Sequence, residues 1–283
     1  MKTYRFSLIL LRGLGQIMLQ ENAATGLLFL AGIFYGSPFM GLAAILAVCC
    51  GTITAQVLRY DQSEIEKGFY GFSAALVGPA LILYFEPVWL VWPAIIAGSI
   101  AATILQHLFI VKKIPVFTLP FVLVTWGIIW LFQQVYPLAP SKLLSNSVPV
   151  ASDLTFALKG FGQVIFQGSV FAGLAFFTGV FIQSPISALY GLAGALAAGI
   201  LSFWCSVPVG EIGMGLLSYN AVLCAIVFAG NQVKDGLWVL ISVVLTVAIG
   251  LTMRHYQLIQ LTFPFVAAAC MTLFFKNLVS RKK

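Results

Sequence analysis

The chain has 283 residues, of which 61% are hydrophobic and only 8% are charged, and its formal net charge is +7. Since a soluble domain carries about 25% charged residues, this composition argues against a water-soluble enzyme and predicts an integral membrane protein. Nucleic-acid binding is also disfavoured, because the positive charge reflects scarce acids and no basic stripe follows an apolar face.

Segments apolar enough to cross a bilayer recur along the whole chain. A helical span needs about 20 largely apolar residues, and runs such as AIIAGSIAATIL lack the alternation of a transmembrane strand. Two shorter segments, 6–20 and 154–167, are expected to be re-entrant or interfacial helices. The predicted fold is therefore an all-α integral membrane protein with ten transmembrane helices plus two short re-entrant helices. The ten predicted spans are 25–37, 39–58, 67–84, 88–110, 114–137, 170–182, 185–206, 214–231, 235–253 and 258–276.

Lys and Arg predict the orientation of these spans. With ten spans and a cytoplasmic N-terminus, only Lys142, Lys159 and Arg254 fall outside, and the positive-inside rule favours this arrangement over its inverse. Both termini are therefore expected in the cytoplasm, and the two halves, with five spans each, are expected to be inverted relative to each other. The basic residues assigned to the inside are Lys2, Arg5, Arg12, Arg59, Lys67, Lys112, Lys113, Lys234, Lys276, Arg281, Lys282 and Lys283.

The chain repeats itself when its halves are aligned with an offset of 147 residues, which falls to 144 near the end of each half. We predict two inverted repeats around a central pore, residues 1–147 and 148–283, each with five spans and one re-entrant segment. Such repeats are common in transporters, and matched glycines are expected to serve helix packing. The matched pairs include Gln16 with Gln163, Gly26 with Gly173, Glu64 with Glu211, Phe72 with Tyr219, and Pro120 with Pro264.

Six motifs carry this repeat, in two registered triplets. In order they are GQIMLQ (15–20), EIEKGFYGFSAALVG (64–78) and TLPFVLVTW (118–126), then GQVIFQ (162–167), EIGMGLLSYNAVLCAI (211–226) and TFPFVAAAC (262–270). Together they resemble the bacterial urea transporter family over essentially the whole chain. The resemblance implies a homotrimer in the bacterial inner membrane, in which each protomer has its own pore and passes urea passively down its gradient.

Urea is planar, neutral and polar, so a pore for urea needs flat apolar walls and fixed oxygens that replace its water hydrogen bonds. Two matched pairs, each four residues apart and therefore on one helix face, and two matched single positions correspond to the apolar constriction of the family. These candidate slot residues are Leu19, Phe72, Leu76, Phe166, Tyr219 and Leu223.

The oxygens are expected to come from two proline-containing segments. Proline has no N–H, so Pro120 frees the carbonyl of Val116, four residues earlier. Pro264 frees that of Gln260 in the same way, and such carbonyls are tolerated at membrane depth only where protein or a water-filled path satisfies them. The resemblance implies an oxygen ladder here, to which Thr125 adds a side-chain oxygen.

Gln16 and Gln163 both donate and accept hydrogen bonds, which suits a site where urea loses water at each mouth of the pore. Three positions depart from the family pattern. Ala269 stands where the counterpart of Thr125 is expected, Leu19 replaces an aromatic residue, and Gln163 replaces the glutamate of some members. These departures leave the solute open between urea and another small neutral amide.

Two other transport functions compete with this hypothesis. An ammonia channel commonly relies on pore histidines, but His107 and His255 are not repeat mates. An ion-coupled transporter normally needs an intramembrane acid, whereas all eight acids lie in loops or near segment ends. Glu64 and Glu211 are expected at helix ends or at the pore mouths. The sequence shows neither a catalytic set nor metal-ligand spacing, so no enzyme activity, metal or cofactor is expected.

Overall fold

The computed structural model describes residues 2–115, 117–145 and 154–281, and helices dominate these ranges. The described residues contain no β-strand, although a lone antiparallel bridge pairs Phe85 with Pro140. The predicted all-α class is therefore confirmed.

The first of two compact units, Met1–Val148, contains eight described α-helices. A turn of 3₁₀ helix, Gln16–Met18, follows the first of them directly, so the two form one continuous arm. The helices are α1 (Lys2–Gly15), α2 (Ala23–Gly36), α3 (Pro38–Val57), α4 (Gln62–Glu66), α5 (Phe72–Tyr84), α6 (Val91–Val111), α7 (Leu119–Gln134) and α8 (Lys142–Ser145).

The second unit, Pro149–Lys283, contains seven described helices. They are α9 (Phe156–Gln163), α10 (Val170–Gln183), α11 (Pro185–Trp204), α12 (Val209–Gly213), α13 (Tyr219–Phe228), α14 (Val233–His255) and α15 (Phe263–Arg281). Helices α10, α11, α12 and α13 each begin 147 residues after α2, α3, α4 and α5, and α15 begins 144 residues after α7. The sequence repeat is thus a repeat of helix starts.

Five of the described helices, α3, α6, α11, α14 and α15, are long and apolar enough to cross a membrane. A sixth candidate is the pair Arg5–Met18 and Ala23–Gly36, which is bent by 77° as in a broken span or a re-entrant loop. Helices α5, α7, α10 and α13 are apolar but shorter. These helices make the chain a multi-pass integral membrane protein.

Three of the predicted spans form shorter helices than their apolar segments suggest. Segment 67–84 contains the 13-residue α5, segment 114–137 the 16-residue α7, and segment 214–231 the 10-residue α13. The turns before α5 and α13 contain left-handed glycines, Gly68 at φ +83° and Gly215 at φ +74°. Because these turns are themselves apolar, hydropathy does not locate the start of the helix.

Helices α3 and α11 begin alike because each starts at the proline of a Ser-Pro pair. The hydroxyl of Ser37 accepts the N–H of Met40 at 3.3 Å, and that of Ser184 accepts the N–H of Ser187 at 3.3 Å. Each proline occupies the first turn, where no intrahelical N–H is needed. The same two residues therefore fix both helix starts.

The matched glycines allow two helix backbones to touch. A Cβ added at Gly26 in α2 would lie 1.8 Å from the carbonyl oxygen of Leu11 in α1. A Cβ added at Gly173 would lie 2.1 Å from the carbonyl oxygen of Leu158 in α9. Only glycine fits such a contact, so the predicted packing role of this pair is confirmed.

The most deeply buried helix of each unit follows the glycine turn. In α5 residues 72–82 are all buried, and in α13 residues 220–226 are all buried. Helix α5 packs against α3, α6 and α7, and α13 packs against α11, α14 and α15. Four of the six predicted slot residues, Phe72, Leu76, Tyr219 and Leu223, therefore lie on the central helix of their unit.

Candidate solute-binding site

The slot residues of the first unit lie on α5 and beside it. Phe72 is the first residue of α5 and Leu76 lies one turn later, and they are 7% and 0% exposed. Their four-residue spacing on a helix places them on one face, as predicted. Leu19 ends the 3₁₀ turn that packs against α5, and it is 41% exposed.

The second unit places Tyr219 and Leu223 in the same positions of α13. Leu223 is fully buried and Tyr219 is half-buried. The Tyr219 hydroxyl donates a hydrogen bond of 2.5 Å to the backbone carbonyl of Leu261. Phe72 has no hydroxyl, so the two central helices present different chemistry at their first residue.

The third slot position of each unit is a left-handed residue. Leu19 has φ 59° and Phe166 has φ 61°, a conformation that costs a non-glycine residue roughly 1–3 kcal/mol. In both units the next glutamine, Gln20 or Gln167, donates its side-chain amide to the carbonyl two residues earlier, at 2.7 and 3.0 Å. The break between the two helices is thus built identically in each unit.

Gln16 and Gln163 make the same contact in their two units. The amide nitrogen of Gln16 donates to the carbonyl of Lys67, and that of Gln163 donates to the carbonyl of Met214, both at 3.0 Å. This bond ties the first arm of each unit to the glycine turn. The nitrogen of each amide therefore holds the fold together, whereas the oxygen of the same amide can still accept a hydrogen bond.

Pro120 and Pro264 do not interrupt helices. The prediction that each proline frees a helix carbonyl four residues earlier is therefore wrong. Each proline is the second residue of its helix, α7 or α15, where first-turn N–H groups have no intrahelical partner in any case. The carbonyl of Gln260 accepts the N–H of Phe263 at 3.0 Å. The other predicted ladder carbonyl, that of Val116, lies outside the described residues.

Both of these helices follow a left-handed residue that the sequence analysis missed. Phe117 has φ 49° and Leu261 has φ 43°. In the second unit the Asn220 amide donates to the Leu261 carbonyl at 3.3 Å, and its oxygen accepts the N–H of Phe265 at 3.3 Å. This clasp joins the start of α13 to the start of α15.

Thr125 lies on α7 and is fully buried, and its hydroxyl has no hydrogen-bond partner among the described residues. It does not bond to its own helix backbone, although membrane threonines often do so. An unsatisfied buried hydroxyl costs about 1–3 kcal/mol, which makes it a candidate contact for a solute. Other buried hydroxyls, including Ser99 and Ser202, share this property. Thr125 is therefore distinguished by its place in the predicted oxygen ladder and not by its burial alone.

Two basic residues with a repeated contact were missed by the sequence analysis. Lys159, predicted to lie on the outer side of the membrane, is only 5% exposed, and its Nζ donates to the carbonyl of Gly213 at 3.1 Å. Arg12 donates to the carbonyl of Glu66 at 3.0 Å. Each carbonyl ends a short helix, α12 or α4, where the helix dipole favours a cation. Arg12 and Lys159 are 147 residues apart, and this repeat offset is the sequence signal that could have identified them as a pair.

Glu64 belongs to a polar chain in the first unit. Its carboxylate accepts the hydroxyl hydrogen of Tyr70 at 2.6 Å, and the same hydroxyl lies 3.0 Å from Nδ1 of His107. Since the single hydrogen of Tyr70 goes to Glu64, Nδ1 of His107 supplies the hydrogen of the second contact. The ring of Tyr60 stacks on the imidazole with 3.5 Å between centroids.

Glu211, the mate of Glu64, has a different partner. It accepts two hydrogen bonds from Arg254, at 2.8 and 2.6 Å. Both glutamates lie in short helices and have structural partners, which agrees with the first of the two roles predicted for them.

Two carboxylates of α4 are stabilised in their charged form. The Ser63 hydroxyl and the backbone N–H of Glu64 donate to Asp61 and lower its pKa. The side chain of Gln62, with a smaller contribution from nearby cations, lowers the pKa of Glu66. Hydrogen bonds to the charged form are the main cause in both cases.

Apolar helices long enough to span a bilayer, a sharply bent helix pair, and polar contacts repeated in both units define a multi-pass helical membrane protein of the transporter type. The sequence model of one family, described as "Urea transporter", matches residues 8–277. The chain belongs to the urea transporter family. This membership confirms the prediction of a transporter rather than an enzyme.

Relatives with assigned names agree with this membership. Urea transporter 1 of sheep (Ovis aries) is 28% identical over 289 aligned positions, which cover 93% of this chain and 75% of the relative. Urea transporter 1 of goat (Capra hircus) gives the same values. Urea transporter 1 of rat (Rattus norvegicus) is 28% identical over 238 positions, or 78% of this chain and 62% of the relative.

Proposed function

We propose that this chain transports urea passively across a membrane through a narrow, channel-like pore. The observation that carries the proposal is the family match over residues 8–277. The relatives that match most of this chain are named urea transporters. The repeated helix starts support the proposal, because each unit presents an aromatic residue and a leucine on its central helix at the same register.

In this mechanism the apolar faces of α5 and α13 form flat walls for the planar solute. Ions pay a large desolvation cost on such a surface, whereas neutral urea pays mainly for its lost hydrogen bonds. The unpartnered hydroxyl of Thr125 compensates part of that loss, and the amide oxygens of Gln16 and Gln163 do so at the mouths. The burial and contacts described above support these roles.

Ten helices cross the membrane in the proposed topology, namely α2, α3, α5, α6, α7 and their mates α10, α11, α13, α14 and α15. The two sets are inverted, both termini are cytoplasmic, and α1 and α9 are re-entrant. We further propose a homotrimer in a bacterial inner membrane, on the resemblance of the six motifs. Short helices such as the 10-residue α13 require that the turns before them complete the crossing.

Passive rather than ion-coupled transport is supported by the partners of the described acids. Glu66 pairs with Arg5, Glu211 pairs with Arg254, and Glu64 accepts a hydrogen bond from Tyr70. Coupling to protons or sodium requires an ionisable group that can release its partner during transport. Carboxylates engaged at the ends of short helices are better suited to holding structure.

The experiment that tests the proposal is urea flux in proteoliposomes, measured by stopped-flow light scattering. Flux down a urea gradient should be fast and should be the same with and without a proton or sodium gradient. Urea accumulation above its external concentration, abolished by an uncoupler, would instead establish ion coupling. Ammonia and acetamide, tested in parallel, separate a urea pore from an ammonia or general amide pore.

A further inference from the structure

The ends of α3 and α6 lie side by side in the first unit. Tyr60, which follows α3, stacks on His107 of α6 with 3.5 Å between the ring centroids. Tyr60 and Ile110 also pack against one buried cluster that includes Ala55 of α3. Both helices are long and apolar enough to cross a membrane, so the residues directly after them lie at the level of the lipid headgroups.

Three exposed cations follow these two helix ends. Arg59 comes two residues after α3, and Lys112 and Lys113 come directly after α6. Arg59 and Lys113 are both left-handed, at φ 56° and 53°. Each donates its backbone N–H to a carbonyl in the last turn of its own helix, at 3.1 and 2.9 Å. The backbone therefore fixes the point at which each of these side chains leaves its helix.

The acids at this end of the unit already have partners. Glu66 pairs with Arg5, and the charge of Lys67 acts on Asp61. Glu64 accepts the hydrogen of a tyrosine hydroxyl. Within the described part of the chain, the three cations beyond α3 and α6 have no acid at ion-pair distance. Their charge is therefore available to an anion from outside the protein.

The second unit keeps this junction of helix ends without its charge. Val207 and Leu251 replace the stacked rings and belong to one apolar cluster. Ser206 and Gln257 replace the two left-handed cations and keep their conformation, at φ 60° and 54°. Tyr256 replaces the third cation. Since α11 and α14 end in the same way with neutral residues, the cations of the first unit are not needed to end its helices.

We propose that the ends of α3 and α6 bind the headgroup of an anionic phospholipid. The guanidinium of Arg59 can donate paired hydrogen bonds to a phosphate, and the ammonium of Lys113 adds a second charge from the neighbouring helix. Val57 and Val111, the last residues of the two helices, are 71% and 64% exposed and offer apolar contact to the acyl chains. A net negative headgroup is preferred, because each cation near an anionic membrane surface favours binding about fivefold.

The test is the binding of phosphatidylglycerol to the full chain in neutral detergent, measured by native mass spectrometry. Phosphatidylcholine has the same phosphate but no net charge, and should bind at least about tenfold more weakly. Arg59→Gln/Lys113→Gln should weaken the binding of phosphatidylglycerol by more than about tenfold. The matched control, Lys234→Gln/Lys276→Gln, removes two other cations predicted on the cytoplasmic side and should weaken it less than about threefold. Lys112→Gln alone should weaken it about fivefold, in case the double variant does not fold.

The outcomes distinguish a lipid site from simpler roles of the same cations. If Arg59 and Lys113 only offset the dipoles of their own helices, their double variant will have a lower thermal midpoint in lipid-free detergent but unchanged phosphatidylglycerol binding, which would overturn the inference. An equal loss of binding in the control variant would reduce the effect to net charge and overturn it as well. Displacement of the lipid by an equal concentration of inorganic phosphate would assign the site to free phosphate instead.

Discussion

The short helices α4 and α12 share a backbone but not their side-chain partners. In the first unit Glu64 binds Tyr70, which contacts His107. In the second unit Glu211 binds Arg254 directly. His107 lies in α6 and Arg254 in the last turn of α14, so these two helices supply a stacked imidazole in one unit and the arginine of an ion pair in the other, at different positions along their length.

Apart from the serine contacts at the starts of α3 and α11, the side-chain contacts described above that recur between the units end on backbone carbonyls. Three side chains of the first unit, and their mates in the second, donate to a carbonyl at the same register. A carbonyl exists at every position whatever the residue, so such a bond needs only its donor to persist. A bond between two side chains needs both, and these have diverged. The donors are Arg12, Gln16 and Gln20, with Lys159, Gln163 and Gln167.

The largest expected effect comes from filling the close glycine contact that recurs in both units, between α1 and α2 and between α9 and α10. Gly26→Ala and Gly173→Ala place a methyl group against a backbone carbonyl, which cannot move as a side chain could. Each should destabilise the protein by about 3 kcal/mol or more, seen as a large fall in the thermal midpoint in detergent. Gly127→Ala is the control, because nothing lies within 4 Å of the added Cβ and helix propensity favours alanine by about 1 kcal/mol.

Removing the two repeated cations should show whether the units depend on them equally. Lys159→Met leaves the Gly213 carbonyl without its buried charged donor and should cost about 2 kcal/mol. Arg12→Met should cost less than about 1 kcal/mol, because Arg12 is only half-buried and water can replace it. Thermal midpoints of the two variants provide the measurement. Equal falls in the thermal midpoint of the two variants would contradict the expectation that burial of the cation decides the cost.

Thr125→Val removes the hydroxyl at a position where the second unit has Ala269. Urea flux should fall about fivefold, since one net hydrogen bond contributes about 1 kcal/mol. The thermal midpoint should hold or rise, because valine removes an unsatisfied buried group of similar shape. Ser99→Ala removes another unpartnered buried hydroxyl and should leave flux unchanged. Flux at the wild-type level in Thr125→Val would remove Thr125 from the pathway.

The smallest expected effect is an acid response that is larger in α4 than in α12. The pKa values of Asp61 and Glu66 are lowered in the folded protein, so their stabilisation is present above their ordinary pKa values and is lost as pH falls through the lowered ones. Pro208 and Gly213 stand at the matched positions of α12. The protection factor for hydrogen exchange, which corrects for the slower intrinsic exchange at low pH, should therefore fall more in α4 than in α12 on acidification from pH 6 to about pH 3. An equal fall of the protection factor in both helices would contradict this difference.

Much of the fold was predictable because it depends on patterns that a sequence displays directly. Ser-Pro pairs mark the starts of α3 and α11, and glycine pairs mark close helix contacts. The starts of α5 and α13 were not predictable from hydropathy, since the residues of the preceding turns are apolar too. The left-handed conformations of Phe117 and Leu261 gave no signal either, because neither residue type favours them.

The placement of the candidate residues on helices was predictable, but their contacts were not. Phe72 and Tyr219 were placed correctly on helices, yet the bond from Tyr219 to Leu261 depends on how α13 meets the turn before α15. The prolines were misread as kinks, because a proline in an apolar run looks the same at a helix start as in its middle. The burial of Lys159 against Gly213 was not predicted, because no local pattern in the sequence indicates it.

The buried contact of Lys159 has a consequence for how the protein is made. Its acceptor, Gly213, lies 54 residues later in the chain, which a ribosome adds in about 3–10 s at 5–20 residues per second. Until then the ammonium of Lys159 lacks this carbonyl, and an unpaired charge is costly to bury. Arg12 waits for Glu66 over the same 54 residues. In each half, the first arm therefore completes this contact only after the two helices that follow it and the short helix have been synthesised.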